Sequence, residues 1–372
     1  MIDVLIAGGG PAGSAAAIRL AKLGHSVRLV ERRTFPRPHV GESLSPGVRV
    51  HLANLGLEAP QSLVVDRAQF DSMLLDAARD AGVEVLFLDC GGRAAAFQSG
   101  GSAAAVHQFF IDATGRANLS RRPRRFTAPR LIAWHARFGV RQRQLPLFLR
   151  RGDDWFWGAT LPDGTYTAVY TGALSQFTNS VPTSPPHAFD ATPYVCDAPI
   201  DEHSASIGEA AFAIDPITSS GVQAAIGSAI AASTAVHTIL RRPENTGAAI
   251  RFYTSHVQRV SAQHARWTNE VFEETPAAIA DDLLISTNEH AQVIAPAIRG
   301  DFVELEPAIR TAAGDDVVYL GGTPLAPLVA TIAARTPAHA ILDRWSHAMP
   351  RPRAAAMLSW LVQQRAVIAE RN

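Results

Sequence analysis

The sequence predicts an α/β protein with three regions, and three observations support this. Residues 2–31 follow the order strand, glycine turn, helix, strand, and the first strand is a continuous apolar run typical of a buried parallel strand. Residues 131–173 alternate apolar and polar side chains and contain the turn pair Asp163-Gly164, as antiparallel strands do. After residue 242 the pattern is mostly helical.

The first region is a Rossmann-like domain made of two separate segments, 1–128 and 200–245. Its further elements are a helix over 66–82, strands over VEVLFLD and QFFIDATGR, and a long helix of small apolar residues that begins at Ser219 or Ser220. Residues 129–199 form the antiparallel sheet and a Pro-, Ser- and Thr-rich connection or lid. Residues 246–372 form a mainly helical C-terminal region that ends in a helix over 354–370.

Composition narrows the class of partner. The 372 residues are 47% hydrophobic and carry 34 basic and 34 acidic side chains, so nothing favours a nucleic-acid or membrane-surface protein. Cys90 and Cys196 are the only cysteines, too few for a disulfide framework or a zinc cluster, and no metal site is predicted. With a strand beginning at Ile2 and no apolar run near about 20 residues, we expect a cytoplasmic protein without a signal peptide.

The first turn predicts a dinucleotide site. Gly8, Gly10 and Gly13 fit the pattern G-x-G-x-x-G between a strand and a helix, and the predicted ligand-binding residues here also include Pro11 and Ala12. Gly8 permits a tight turn, Gly10 lets the backbone approach a pyrophosphate at the helix N-terminus, and Gly13 allows close packing of helix and strand. At the end of the second strand, Glu31 is predicted to accept hydrogen bonds from a ribose, with Arg32 beside it. The pattern alone does not separate NAD from FAD.

Five further segments resemble one flavoprotein family, which includes p-hydroxybenzoate hydroxylase-type monooxygenases and, more closely, flavin-dependent halogenases. They are FPRPHVGESLSPG, VDRAQFDSMLLDAARDAGVEV, FFIDATGR, DDWFWGATLPDG and IGEAAFAIDPITSSGV, and they occur in the family's order. The resemblance implies that the cofactor is FAD.

The resemblance also assigns cofactor contacts. It implies that His39, Val40, Gly41 and Ser43 lie beside the isoalloxazine and that Arg67 bridges the phosphate or ribityl region; Gly115 and Gly208 complete the cofactor site. Glu209 stands where the family usually has Asp. The resemblance implies that a last group of residues lies over the pyrimidine side of the ring: Pro216, Ser219, Ser220, Gly221 and Val222. There, backbone N–H groups at a helix N-terminus stabilise negative charge on the reduced flavin. Ser219 and Ser220 could equally cap the following helix, and Asp66 and Asp112 could equally be turn formers.

Two halogenase features point in different directions. Trp155 and Trp157, followed by Pro162, resemble the family's aromatic signature between flavin and substrate, although the spacing to the proline is longer here. An aromatic pair on alternate strand positions also suits an ordinary sheet core. The family's tunnel lysine has no counterpart: Lys22, on the first helix, is the only lysine, and guanidinium does not replace it because it does not deprotonate. Lysine-dependent halogenation is therefore disfavoured.

The chemistry that remains for such a flavoprotein is monooxygenation. The resemblance implies a flavin C4a-hydroperoxide that hydroxylates an electron-rich aromatic ring, while the protein positions the ring, excludes water and supplies protons. Glu42 and His39 are the candidates for acid or base catalysis. Their structural alternatives are a turn cap or arginine partner for Glu42 and an ordinary hydrogen-bonding histidine for His39.

The C-terminal third suggests a particular substrate. Residues 252–272, 295–310 and 317–328 resemble the branch of halogenase-like flavoproteins that modifies a tryptophan in a partner protein during biogenesis of cysteine tryptophylquinone in quinohemoprotein amine dehydrogenase. Gly321-Gly322 lacks the spacing of a second dinucleotide site, so a separate reductase or free reduced flavin is the expected electron donor. A free aromatic substrate, for a small-molecule aromatic hydroxylase or halogenase-like enzyme, stays open. Two other functions also stay open: a flavin-dependent reductase of isolated double bonds, and a catalytically inactive FAD-binding partner protein.

Overall fold

The computed structural model describes residues 2–37, 39–40, 42–88, 107–140, 147–270, 283–320, 323–346 and 351–370. It contains two compact units. The first comprises Met1–Thr246 and His256–Val271, and the second comprises Gly247–Ser255 and Phe272–Asn372. Of the residues singled out in the sequence, Gly41, Cys90, Gly321 and Gly322 lie outside the described ranges.

The first unit contains thirteen of the described strands. They are β1 (Ile2–Ala7), β2 (Val27–Glu31), β3 (Glu84–Phe87), β4 (His107–Asp112), β5 (Arg124–Phe126), β6 (Ile132–Val140), β7 (Leu147–Arg151), β8 (Asp154–Thr160), β9 (Thr165–Tyr170), β10 (His187–Asp190), β11 (Tyr194–Cys196), β12 (Ser204–Ser206) and β13 (Phe212–Ala213). Its helices are α1 (Pro11–Lys22), α2 (Val48–Asn54), α3 (Arg67–Asp80), α4 (Gly221–Arg241) and part of α5 (Thr246–Glu270).

A parallel sheet forms the base of the first unit. Its strand order is β12-β4-β1-β2-β3, and every neighbouring pair is parallel. Leu5, Val30 and Phe110 pack together on one face, as the apolar runs of these strands predict. Because β12 follows the antiparallel region in the chain yet pairs with β4, the sheet is built from two separate segments, as expected. Helix α1 packs against α3 and α4.

The antiparallel sheet has the order β10-β6-β9-β8-β7. Asp163-Gly164 makes the turn between β8 and β9, with Gly164 at a φ of +84°. Alternate residues separate the two faces: Phe138, Phe156 and Tyr166 pack together on one side, and Trp155 and Val169 pack on the other. The 178–199 segment, expected to be a connection or lid, instead supplies the edge strand β10 and the short β11.

The second unit combines helices with short sheets. Its strands are β14 (Leu284–Thr287), β15 (Gln292–Arg299), β16 (Phe302–Arg310), β17 (Asp316–Val317), β18 (Tyr319–Leu320), β19 (Thr323–Pro324), β20 (Thr336–Pro337) and β21 (Val367–Glu370), and its helices include α6 (Leu325–Val329), α7 (Ala338–Trp345) and α8 (Arg351–Gln363). Trp345 and Leu358 belong to its main apolar core.

The mainly helical prediction is wrong for much of this unit. Strands β15 and β16 form a long hairpin around the two-residue turn Gly300-Asp301, and this cross-strand pairing replaces the expected helix. The predicted final helix also ends early. Arg365 adopts a left-handed backbone with a φ of +54°, and the chain then enters β21, which pairs with β14.

Helix α4 corrects the expectation that no apolar segment of the chain approaches the length of a membrane span. Among the described helices it is the one whose length and most apolar stretch would be enough to span a membrane. The sequence reading missed this because the helix owes its hydropathy to many small residues rather than to a conspicuous run of large ones. Of that stretch, 72% is buried inside the protein, as in the core helix of a globular domain.

Candidate functional site

One large cavity of about 1010 Å³ lies within the first unit. It joins the glycine turn after β1, the start of α4 and one face of the antiparallel sheet. The predicted site residues that line it are Gly8, Gly10, Pro11, Ala12, Glu31, Arg32, His39, Val40, Glu42, Ser43, Arg67, Gly115, Trp155, Trp157, Gly208, Glu209, Pro216, Ser219, Gly221 and Val222. Gly13 and Ser220 were also predicted, but they do not line it.

The glycine turn, residues 8–13, forms the cradle expected for a dinucleotide and leaves no room for side chains at two of its glycines. A Cβ at Gly8 would stand 2.4 Å from the Ala113 carbonyl oxygen, and a Cβ at Gly13 would stand 1.8 Å from the Gly8 carbonyl oxygen. Gly8 also has a φ of +103°, which favours glycine. Gly10 occupies the N-cap of α1 without a side-chain cap, so the first N–H groups of α1 face the cavity. This is the arrangement that binds a pyrophosphate.

Glu31 is held in place by backbone donors. Its carboxylate accepts hydrogen bonds from Gly9 N at 2.7 Å and from Arg33 N at 2.9 Å, and the residue is 6% exposed. The carboxylate therefore lines the cavity in a fixed orientation, as a ribose-binding acid requires.

Two arginines bring positive charge to the same end of the cavity. Arg67 forms a bidentate ion pair with Asp71, at 2.9 and 3.1 Å, and donates to the Val40 carbonyl. Arg37 Nη2 lies 3.4 Å from the position of a Gly10 Cβ, and Arg37 Nε is buried without a hydrogen-bond partner among the described residues. A buried orphan donor beside an open helix N-terminus fits a phosphate group. The residues present therefore fit a dinucleotide such as FAD.

The start of α4 supplies a second set of open donors. Ser219 adopts a left-handed backbone with a φ of +49°, and Ser220 occupies the N-cap. The Ser220 hydroxyl donates to the Thr218 carbonyl rather than accepting from the helix, so the capping alternative is not what the structure shows. Gly221 and Val222 line the cavity, where their backbone can face an anionic ring edge.

His39 is a solvent-exposed histidine in the cavity wall. Its Nδ1 lies 2.7 Å from the Val40 carbonyl oxygen and donates to it, which leaves Nε2 as an acceptor. Desolvation by the surrounding protein, followed by the charge of Arg67, lowers the pKa of His39 below its usual value.

Glu209 lies at the rim of the cavity. Its carboxylate is 3.7 Å from Arg116 Nε and half exposed, and its backbone carbonyl accepts from the Tyr194 hydroxyl at 2.5 Å. Burial raises the pKa of Tyr194 above its usual value. At neighbouring Gly208, a Cβ would meet the Ala12 Cβ at 2.8 Å, so this glycine allows the turn to approach the start of α1.

The opposite wall is aromatic. Trp155 and Trp157 on β8 point to the cavity face, with Val169 of β9 and Phe189 of β10 beside them. Trp155 is 4% exposed and belongs to the sheet core, whereas Trp157 is half-buried. Both interpretations of the tryptophan pair therefore apply, because core packing and cavity lining coincide on this face.

A buried carboxylate meets this wall. Glu42, 1% exposed, places Oε1 3.2 Å from His135 Nε2 and 3.4 Å from the Thr167 hydroxyl, and that hydroxyl lies 2.9 Å from His135 Nε2. Glu42 is thus a partner of a histidine and a threonine.

The sequence reading missed several cavity residues. They are Arg33, Arg37, Arg116, Arg121, His135, Arg137 and His187. A usable signal existed for His135 and Arg137, because they stand two positions apart on β6 and must share a face of the sheet. The nearness of His135 to Glu42 depends on tertiary structure and had no local signal.

Three other residues have resolved roles. Asp66 caps α3 by accepting from Ala68 N, and buried Asp112 accepts from the backbone and hydroxyls of Thr114 and Ser120, so both are turn formers. Lys22 is exposed, and its Nζ donates to the Leu55 carbonyl at 2.5 Å, outside the cavity lining.

Comparison with known proteins agrees with this geometry. A family model described as tryptophan halogenase matches residues 3–70. Tryptophan 2-halogenase from Chondromyces crocatus is 27% identical over 333 residues, which take in 67% of this chain and 64% of that enzyme. The chain thus spans just under two thirds of the length of that relative.

Solved structures share the fold over nearly the whole chain. The peptidyl tryptophan dihydroxylase QhpG, essential for tryptophylquinone cofactor biogenesis, has a TM-score of 0.65 at 22% identity and covers 98% of this chain and 99% of its own. The flavin-dependent halogenase CmlS has a TM-score of 0.77 at 17% identity and covers 100% of this chain and 96% of its own.

The parallel sheet, the glycine cradle and the attached antiparallel sheet define a Rossmann-like flavoprotein whose cofactor is FAD. Within that class, the chain is similar to flavin-dependent halogenases in sequence and to QhpG and CmlS in fold. The predicted α/β fold, the resemblance to this family and the cofactor are confirmed.

Proposed function

We propose that this protein is an FAD-dependent monooxygenase that hydroxylates an electron-rich aromatic ring. One observation carries the proposal: the dinucleotide cradle and the wall formed by Trp155, Trp157 and Phe189 line the same cavity. A cavity of about 1010 Å³ that is shared in this way can hold a cofactor and an aromatic ring together.

Hydroxylation is favoured over halogenation by the single lysine. Lys22 is exposed, bonded to a backbone carbonyl and outside the cavity lining. The cavity bases are arginine and histidine, and a guanidinium stays protonated, so it does not replace an amine that must exchange a proton. The same polar groups disfavour reduction of isolated double bonds, for which an apolar tunnel without polar anchors is expected.

For the substrate, we propose a tryptophan side chain, with a tryptophan in a partner protein as the leading form. Support comes from the resemblance of three C-terminal segments and from a fold shared with QhpG over 98% of the chain. An indole is electron-rich and stacks well on tryptophan side chains. The reductant is proposed to be a separate flavin reductase.

The protein's own residues would position the reactants. When bound and reduced, FAD would supply the chemistry of oxygen activation, with an electrophilic oxygen atom derived from dioxygen. The glycine turn, Glu31 and Arg67 would hold the dinucleotide, and the N-terminus of α4 would stabilise negative charge on the reduced ring. Trp155 and Trp157 would orient the substrate ring and exclude water.

A product assay tests the proposal. The FAD-loaded protein is supplied with a flavin reductase, NADH and isotopically labelled dioxygen, in buffers with and without chloride or bromide. Indole, L-tryptophan and a tryptophan-containing peptide serve as substrates, and products are analysed by mass spectrometry. We expect labelled oxygen in an aromatic product whether or not halide is present.

Two outcomes would contradict the proposal. Halide incorporated into the ring in place of oxygen would make the protein a halogenase despite its missing lysine. Oxidation of the reduced flavin without any modified aromatic compound would remove the monooxygenase assignment. A product from the peptide but not from free L-tryptophan would favour the protein-bound substrate, and the reverse would exclude it.

A further inference from the structure

Glu42 and His135 form a pair that the FAD cradle does not use. Glu42 lies on the segment after the cradle, and His135 lies on strand β6 of the aromatic wall. The carboxylate is 1% exposed, while the imidazole side chain is 14% exposed toward the cavity. A sealed carboxylate behind an accessible imidazole is the geometry in which an acid orients a histidine.

The contacts fix the tautomer of His135. Both Glu42 Oε1 and the Thr167 hydroxyl lie within 3.2 Å of Nε2, at 3.2 and 2.9 Å. The Thr167 hydroxyl donates its single proton to Glu42 Oε1 at 3.4 Å, so at 2.9 Å it accepts from Nε2, which carries the proton beside the carboxylate. The lone pair is therefore on Nδ1.

Nδ1 of His135 is available to a ligand. Among the described residues it has no hydrogen-bond partner, and it is not one of the sealed polar atoms. The residue lies on the cavity face of the sheet, on the same side as Trp157 and Val169. The side chain that carries this ring nitrogen thus lines the space where an aromatic ring would stack.

We propose that His135, oriented by Glu42, is the catalytic base that accepts a proton from the aromatic substrate. The inference rests on the proposed hydroxylation. During that reaction a C–O bond forms at one ring carbon, the C–H bond at the same carbon breaks, and its electron pair returns to the ring. The proton passes to Nδ1 of His135. Dioxygen provides the oxygen atom, and its O–O bond breaks. The second oxygen atom becomes water with the two electrons of the reduced cofactor and two protons, one of them released from His135.

Glu42 makes this transfer favourable. When His135 takes up the proton, the imidazolium stands 3.2 Å from a carboxylate that is shielded from water, and the opposite charges stabilise each other. The other charged or titratable groups around His135 are Arg137 on β6 and His187, which lies opposite His135 on β10. Arg137 opposes protonation, and the paired carboxylate offsets it.

Histidine-selective ¹⁵N NMR tests the orientation without turnover. In the FAD-loaded wild-type protein, we expect His135 to give the signals of the Nε2–H tautomer, assigned by their loss in His135→Asn. In Glu42→Gln the His135 titration should move to lower pH, because the charge that stabilises the imidazolium is gone. His203→Asn, at an exposed position outside the cavity, is the control for assignment. An Nδ1–H tautomer, or an unchanged titration in Glu42→Gln, overturns the proposal.

Chemical rescue tests the proton transfer. With a substrate that the wild-type protein hydroxylates, we expect His135→Asn and His135→Ala to lose about 100-fold or more in rate, while FAD content stays normal. Added imidazole should restore His135→Ala in part, and it should not help Glu31→Gln. Rescue of His187→Asn instead of His135→Ala would assign the base to the opposite strand and overturn the proposal. If the tautomer is as expected but no aromatic compound is oxidised, the proposed function fails and the oriented histidine stands.

Discussion

The two walls of the cavity are built in different ways. The cofactor wall uses backbone: two glycines without room for a Cβ, the first turn of α1 and the uncapped start of α4. The aromatic wall uses side chains that alternate along four paired strands, β10, β6, β9 and β8. A backbone site demands particular residues at fixed spacing, whereas a side-chain wall demands only that each strand face be filled. The first kind of site is strongly constrained, and the second can change its chemistry by single substitutions.

The variant with the largest expected effect is Gly13→Leu, which tests the cofactor wall. A side chain at this position must displace the Gly8 carbonyl, which lies 1.8 Å from the first added carbon, so the cradle cannot keep its shape. We expect complete loss of bound FAD, measured by the flavin absorbance of the purified protein. Gly139→Ala on β6 is the matched control, since nothing lies within 4 Å of its added Cβ, and this variant should retain bound FAD. Retention of FAD by the Gly13 variant would show that the cofactor binds elsewhere.

A second test concerns the stability at acid pH of the parallel-sheet region, which carries the glycine turn. His25 Nε2 lies 2.8 Å from His237 Nδ1 and its other nitrogen is 3.8 Å from Asp3, and desolvation lowers the pKa of His25 to about 4. The folded pKa lies below the usual value of about 6.5, so this contribution to stability is complete above pH 6.5 or so and is lost as the pH falls toward 4.

The expected size of that loss is on the order of 1–2 kcal/mol after allowance for solvent screening. It is measured as the free energy of unfolding in urea at a series of pH values. His25→Asn should flatten the dependence, and the exposed His203→Asn should leave it unchanged. A dependence equally steep in His25→Asn would place the acid-sensitive group elsewhere.

On the aromatic wall, Trp157→Ala should separate substrate binding from cofactor binding. Trp157 is half-buried and lines the cavity, so its removal deletes stacking surface while the glycine cradle is untouched. We expect affinity for indole to fall about tenfold, with unchanged FAD content. Fluorescence or calorimetric titration of the FAD-loaded protein measures the change. Loss of FAD together with indole binding would mean that the two walls are not independent.

The smallest expected effect distinguishes two helix starts. Asp66 caps α3 through a 2.8 Å hydrogen bond from Ala68 N, whereas the Ser220 hydroxyl bonds to Thr218 and caps nothing. Asp66→Ala should cost about 1 kcal/mol of unfolding free energy. Ser220→Ala should change it by less than about 0.5 kcal/mol. Equal costs would show that Ser220 supports α4 after all.

The same contrast explains what the sequence could predict. The cradle could be predicted because Gly8, Gly10, Gly13 and Glu31 lie close together in the chain and their spacing has a direct physical cause. The antiparallel sheet could be predicted from its alternation of side chains. The contact between Glu42 and His135 could not, because it depends on how two distant segments meet. The β15–β16 hairpin was missed because alanine- and isoleucine-rich segments suit a buried helix or a strand, and pairing decides between them.

The two backbone hydrogen bonds to Glu31 carry an implication for evolution and engineering. The acid that would select the ribose also braces the phosphate turn through Gly9. A substitution that introduces a basic residue at Glu31, as a change of nucleotide preference would require, also releases the N–H of Gly9 and loosens the turn. Ligand choice and scaffold integrity are therefore coupled at this position. A new nucleotide preference would therefore require a second group that accepts the hydrogen bond from Gly9 N in place of Glu31. Until such a group is present, the original nucleotide preference is expected to persist.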